Sequence, residues 1–320
     1  MFGITQLTYV AMISFLIVVI LGPIFIPMLA KFKFGQTVRD DGPQTHLQKN
    51  GTPTMGGVIM IIAILITGLT RAKVDRDLIV GLICITGFGF VGFLDDFIKI
   101  KMKRSLGLKA YQKIILQFAL AFFVAYYQYT ASPSATQMMV PFTDYVINLG
   151  PLYVPIMMFI IIGTVNAVNL TDGLDGLASG VTLVVSIFFM MLAMSVGNSD
   201  VAILAAATVG ACLGFLGFNS YPAKVFMGDT GSMALGGAVV AFAVLTNSVL
   251  LIPIVGGIYF AETVSVIIQV ISFKLTGKRV FKMAPIHHHF EQCGWPETRV
   301  VFIFWITTVV LSWIGIIAVF

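Results

Sequence analysis

The sequence predicts an all-α polytopic membrane protein with about ten transmembrane helices, and three observations carry that expectation. Of 320 residues, 58% are hydrophobic and only 10% charged, with a mean hydropathy of +0.99. Soluble domains carry about 25% charged residues, so too few charges are present to build a water-facing surface. The apolar residues gather into long segments, and a helical span needs about 20 of them. The 19 Lys and Arg residues are also divided very unequally between alternate loops. The same composition excludes a disordered chain, a collagen, a coiled coil and a secreted disulfide scaffold. Cys84 and Cys212 lie in apolar stretches and Cys293 in a polar loop, so no disulfide framework is implied.

The spans fall at about 6–30, 55–70, 78–94, 111–131, 151–169, 177–196, 202–218, 233–247, 249–272 and 298–320. The eighth and ninth nearly touch at Thr246-Asn247-Ser248, which makes nine the rival count. The first segment is too long for a signal-peptide core and lacks a preceding basic stretch, so it reads as an uncleaved span. The whole chain, 1–320, reads as one integral membrane domain. Of the basic residues, 16 fall on one side and three (Arg71, Lys73 and Arg76) on the other. The positive-inside rule puts the 16 in the cytoplasm and both termini outside. Polar segments 31–54, 95–110, 219–232 and 273–297 then form a cytoplasmic working face. Outside, Val140-Pro141-Phe142 and Tyr145-Val146-Ile147 flank Thr143-Asp144 as a possible small hairpin. Gly87 to Gly92 matches GxGxxG but lies inside a span, not between a strand and a helix. It therefore reads as helix packing rather than as a dinucleotide loop.

The carboxylates mark the site. Asp95-Asp96 closes the third span, and Asn166, Asn169 and Asp172 recur every three residues at the end of the fifth. Acids at a helix C-terminus oppose its dipole by about 0.3–1 kcal/mol each, which is easier to understand beside a cation or a ring of lysines. A solvated acidic edge balanced by Lys99 to Lys109 is the bland alternative. Asp175 and Asp229 precede spans, where they can cap helix N-termini or hold a metal beside phosphate. Such a donor set suits Mg²⁺, which takes oxygen ligands. Pro285-Ile-His287-His288-His289-Phe-Glu291 follows the basic run Lys278-Arg279-Val-Phe-Lys282 and reads as a phosphate-facing loop. Three consecutive histidines cannot share one metal from a regular helix. A transporter would keep its polar groups near the midplane and often shows repeated halves. Here Glu262 alone falls mid-span.

Several stretches carry a resemblance. They are Lys49-Asn-Gly-Thr-Pro-Thr-Met-Gly-Gly57, Phe93-Leu-Asp-Asp-Phe97, Asn166 through Gly176, Asn219, Phe226-Met-Gly-Asp-Thr-Gly-Ser232 and Pro285 through Glu291. The chain resembles the bacterial phospho-N-acetylmuramoyl-pentapeptide transferase family, a branch of the polyprenyl-phosphate N-acetylhexosamine-1-phosphate transferases. The resemblance implies transfer of phospho-MurNAc-pentapeptide from its UDP donor to undecaprenyl phosphate, giving lipid I and UMP. It implies Mg²⁺ as cofactor, a homodimer, and residence in the bacterial cytoplasmic membrane with the active site facing the cytoplasm; no nucleic acid is involved. It makes Asp229 the metal ligand and Asp95, Asp96 and His287 catalytic. Lys49, Thr54, Lys113, Asn169, Asp172, Asp175, Asn219, Phe226, His288 and His289 become substrate-binding, with Phe226 a stacking surface for uracil. Glu262 and Gln269 are second-rank candidates on a ninth span that Gly256-Gly257 can bend. The nearest alternative is a sister enzyme using UDP-GlcNAc.

Overall fold

The computed structural model describes residues 3–31, 49, 51–71, 75–102, 106–131 and 136–319. The basic residues Lys33, Arg39, Lys73, Lys103 and Arg104, which entered the orientation argument, lie outside them.

Every apolar segment is helical. The helices are α1 (Ile4–Lys31), α2 (Gly57–Arg71), α3 (Arg76–Met102), α4 (Ala110–Ala131), α5 (Tyr153–Thr171), α6 (Leu177–Ser195), α7 (Ser199–Asn219), α8 (Gly228–Leu245), α9 (Ile252–Val255), α10 (Gly257–Thr276), α11 (Ile286–Gln292) and α12 (Glu297–Ile317). Nine of the described helices are long and apolar enough to cross a membrane, and α2 is a shorter apolar helix. The protein is thus an all-α multi-pass membrane protein. Its eighth and ninth segments separate where expected. Asn247 takes a positive φ of 54°, and the Asn247 and Ser248 N–H groups bond back to Val244 and Ala243. The ninth segment is interrupted at Gly256, which splits it into α9 and α10.

Helix α8 is the axis of the bundle. Its most apolar window is 89% buried, against 22% for α1 and α10, which keep most of their apolar surface for lipid. Such burial requires neighbours to come close. Gly92 of α3 faces the Asp229 carbonyl at the start of α8, where a Cβ would collide with backbone. The Gly87–Gly92 pattern is therefore a helix-packing surface, as its place within a span indicated.

Two local expectations need correction. First, α3 does not stop near residue 94 but continues to Met102, so Asp95 and Asp96 lie about two turns inside it. The dipole penalty assigned to a C-terminal acid pair does not apply, because that effect is confined to the last turn. Lys99 and Lys101, not the acids, occupy that turn. Second, the hairpin forms between β1 (Gln137–Met139) and β2 (Val146–Asn148), with Met138 opposite Ile147. The first strand starts earlier than Val140, since Pro141 has no N–H for a ladder and the turn extends through it.

Candidate functional site

The site forms where one end of α3, α4, α5 and α8 meets the segment before α2. Its organising feature is a helix start capped from another helix. The Asp96 carboxylate of α3 accepts hydrogen bonds from the Asp229 N–H (3.2 Å), the Thr230 N–H (2.9 Å) and the Thr230 hydroxyl (2.8 Å). It satisfies N–H groups that a helix start leaves without intrahelical partners. Asp229 lies in the first turn of α8, whose N-cap is Met227, and makes no cap bond of its own. The expected capping role for Asp229 is thereby overturned: a residue inside the first turn cannot reach its own N–H groups as a cap residue does.

Freed from capping, the Asp229 carboxylate points into a cluster. Lys113 Nζ stands 2.9 Å and Lys99 Nζ 3.1 Å from Oδ2, while Asn169 donates to Oδ1 at 3.1 Å and to Ser232 at 2.8 Å. Lys99 also reaches Asp95 at 2.6 Å and Asp96 at 3.7 Å. The Leu108 N–H donates to Asp95 Oδ1 at 2.9 Å, which folds the segment after α3 back over the acid. Carboxylate oxygens of Asp95, Asp96 and Asp229 lie within 4.8 Å of one another. Three carboxylates thus face two ammonium groups, leaving one net negative charge. An all-oxygen set of this kind fits a hard divalent cation such as Mg²⁺. Asp172, half-buried at the C-cap of α5, adds to the field: burial first, then the charges of Asp229, Asp96 and Asp175, push its carboxyl up to about 8.

A second knot lies next to it. Lys49 Nζ is 2.6 Å from both Asp175 and Glu297. Asp175 also accepts the Ala223 N–H (2.9 Å), and Glu297 accepts the Asp175 N–H (2.7 Å). Burial alone would lower the Lys49 pKa, but the two carboxylates outweigh it and raise it. The N-cap of α6 is Gly176, so Asp175 does not cap that helix either; its oxygens are spent on Lys49 and Ala223. Asn219 is likewise occupied. Its carbonyl accepts from Gly176 N–H and Ser179 Oγ, and its amide donates to the Val225 carbonyl. Phe226 is half-buried, and its backbone is clipped to Pro53 and Gly56. Thr54 is buried beside Gly228, where an added Cβ would meet both Thr54 Oγ1 and Asp96 Oδ2.

The triple histidine is helical, not the loop expected: it lies in α11, where the His287 and His288 ring centroids are 4.1 Å apart and each ring takes a different partner. His287 is buried with Nδ1 3.0 Å from Glu262 of α10. His288 contacts Glu291 at 2.7 Å. His289 accepts the Lys282 N–H at 3.2 Å, so its Nδ1 is spent on closing the basic loop. Gln269 bonds to the backbone of Val280 and Phe281 and holds the same loop. Asn166 leaves the cluster to pair with Gln117 of α4 at 2.7 Å.

Sequence reasoning omitted three residues from the site: Lys99, Glu297 and Thr230. Lys99 was legible in principle, standing three and four residues after the paired acids, on one helical face. Glu297 reaches the knot across 248 positions from Lys49, and no local pattern marks it.

The chain is a membrane-embedded helical bundle that gathers carboxylates, lysines and amides at one set of helix ends. Residues 78–247 match the model for glycosyl transferase family 4, and residues 49–61 match the first phospho-N-acetylmuramoyl-pentapeptide-transferase signature. The chain is 81% identical to the phospho-N-acetylmuramoyl-pentapeptide-transferase of Clostridioides difficile (strain 630) over 321 residues, covering 100% of both. It is 55% identical to that of Alkaliphilus metalliredigens (strain QYMF), with 98% of each covered. These findings define a polytopic membrane glycosyl-1-phosphate transferase. The chain belongs to the phospho-N-acetylmuramoyl-pentapeptide-transferase family.

Proposed function

We propose that the chain transfers phospho-MurNAc-pentapeptide from UDP-MurNAc-pentapeptide to undecaprenyl phosphate, releasing UMP and forming lipid I, the first membrane step of peptidoglycan synthesis. The observation that carries this reading is the meeting of Asp95, Asp96 and Asp229 with Lys99 and Lys113 in a chain so close to a named transferase. The reading includes a cytoplasmic-membrane location, a cytoplasm-facing site, a homodimer and Mg²⁺. Asp229, with Asp95 and Asp96, would hold the ion, which supplies charge stabilisation for the departing phosphate.

The chain's own residues have definable tasks. Lys113 and Lys99 attract the diphosphate and the lipid phosphate. Asp96 fixes the first turn of α8 by accepting its Asp229 and Thr230 N–H groups. Asp95 is engaged by Lys99 and the Leu108 N–H, so it suits positioning a lysine better than accepting a proton. A phosphate monoester has a second pKa near 6, and most of the acceptor is already a dianion at pH 7. One-step attack by that dianion therefore needs little base. Lys49, Asp175, Asn219 and Phe226 frame the nucleotide-sugar side, and His287 and His288 complete it from α11.

The test offers purified protein UDP-MurNAc-pentapeptide or UDP-GlcNAc with undecaprenyl phosphate and Mg²⁺ and measures UMP. UMP from the muramoyl donor is expected. Release only from UDP-GlcNAc would transfer the chain to the sister activity.

A further inference from the structure

Glu262 stands apart from every other carboxylate of the described chain. It is fully buried on α10, a helix apolar enough to span a membrane. Neither of its oxygens has a hydrogen-bond partner of good geometry, and the same holds for both ring nitrogens of His287. Yet Glu262 Oε1 and His287 Nδ1 are 3.0 Å apart, and both side chains are almost wholly excluded from solvent, at 0% and 1% exposed. The contact satisfies a distance but not an angle, and catalytic contacts commonly tighten only with substrate in place. A buried carboxylate without partners is costly. A buried imidazole a hydrogen-bond length away is the group that relieves it.

The other edge of the ring is equally constrained. His287 Nε2 abuts Gly173, where any Cβ would overlap the ring. Gly173 follows Asp172, which feels the charges of Asp229, Asp96 and Asp175. His287 is thus wedged between a carboxylate inside the bundle and the backbone beside the acid cluster. Carboxylate contact to one nitrogen fixes which tautomer the ring adopts and where its other nitrogen points.

We infer that Glu262 is the positioning residue for His287: it holds the proton on Nδ1 and so presents Nε2 as the acceptor toward the Asp172–Gly173 side of the site. The inference rests on the transferase reading only for what His287 then contacts, a polar group of the donor sugar phosphate. The dyad itself rests on the geometry. Glu262 touches no substrate and acts through the ring alone.

The experiment has one arm independent of activity. Nitrogen NMR of the full-length protein with labelled histidine, with His287 assigned by the loss of its signals in His287→Gln, reads the tautomer. The parent should show protonated Nδ1 and unprotonated Nε2 at neutral pH. Glu262→Ala should give a tautomer mixture, and Glu262→Gln, whose amide oxygen still accepts from Nδ1, should largely keep the parent form. In the UMP assay, Glu262→Ala should lower kcat about 10–100-fold, the usual cost of losing such an orienting partner, with donor KM little changed. Glu262→Gln should recover much of that loss, and it guards against misfolding from the cavity left by Ala. Adding Glu262→Ala to His287→Gln should cost almost nothing further, because the two act as a unit. A protonated Nε2 in the parent, or an unchanged tautomer in Glu262→Ala, overturns the inference. So do losses that multiply in the double variant. If the parent releases no UMP from the muramoyl donor, the proposed function fails while the tautomer arm still decides the dyad.

Discussion

The acid cluster and the Lys49 knot use the same side chains at the same face of the bundle, yet they are built to different ends. In the knot, one lysine ties the segment before α2 to Asp175 and to Glu297 at the start of α12. Spare carboxylate capacity is taken by the Ala223 and Asp175 N–H groups, so the knot is a clamp across three parts of the chain. In the cluster, three carboxylates from two helices converge on one point, and two lysines leave them under-compensated. The contrast teaches that counting charges does not distinguish a clamp from a reaction centre. What distinguishes them is whether three carboxylates from different elements converge on one another, as in the cluster, or two are tied to a single lysine, as in the knot.

The largest effect that would break this contrast is expected at Asp229. Because Asp96 caps α8, Asp229→Asn should leave folding nearly intact while lowering UMP release by roughly 10²–10³-fold, the usual scale for one preorganised electrostatic group. Paired melting curves and Mg²⁺ titrations check it; turnover within a few fold of the parent would make the cluster another clamp. Glu297→Gln should behave in the opposite way. It should lower stability by about 1–3 kcal/mol, from a charged, partly buried bonding network, with a smaller proportional loss of turnover. A variant that melts like the parent but is inactive would move Glu297 into the reaction centre.

A smaller effect is expected at Asp96. Asn can accept from α8 with one oxygen only, so Asp96→Asn should cost about 1 kcal/mol of cap energy and weaken Mg²⁺ dependence as well. Denaturation in a chelator isolates the first part. The smallest effect is a gain. The Asp172 carboxyl is held near 8 in the fold, well above its ordinary value near 3.9. The folded state therefore binds that proton more tightly, and metal-free stability falls as pH rises between those values and then levels off. Asp172→Asn mimics the protonated form, so its Tm advantage in chelator should be near zero at pH 4 and about a few degrees at pH 8. Because Asp172 is partly exposed, solvent screening keeps that gain modest. Equal melting shifts at both pH values would contradict it, and saturating Mg²⁺ should shrink the gain.

The sequence by itself determined much of this protein. Composition and the length of the apolar segments made it a helical membrane bundle, since lipid offers no partner for backbone groups and only closed hydrogen-bonding patterns survive there. Thr246-Asn247-Ser248 and Gly256 divided segments where the chain does divide. The motifs picked out Asp95, Asp96 and Asp229, and the family resemblance added Lys113; the four do come together. What only the tertiary structure decided was who partners whom. Both acids assigned as local caps proved to be partners of distant groups: α8 approaches α3 at Gly92 closely enough for Asp96 to cap it in place of Asp229, and Lys49 and the Ala223 N–H take the Asp175 oxygens. The three histidines, adjacent in sequence, take separate partners (Glu262, Glu291 and the Lys282 N–H) because successive residues on a helix point about 100° apart. Glu297 joined Lys49 and Glu262 met His287 through contacts between helices far apart in the chain. Local patterning fixes which face of a helix is polar, whereas the pairing of polar faces depends on how the helices pack.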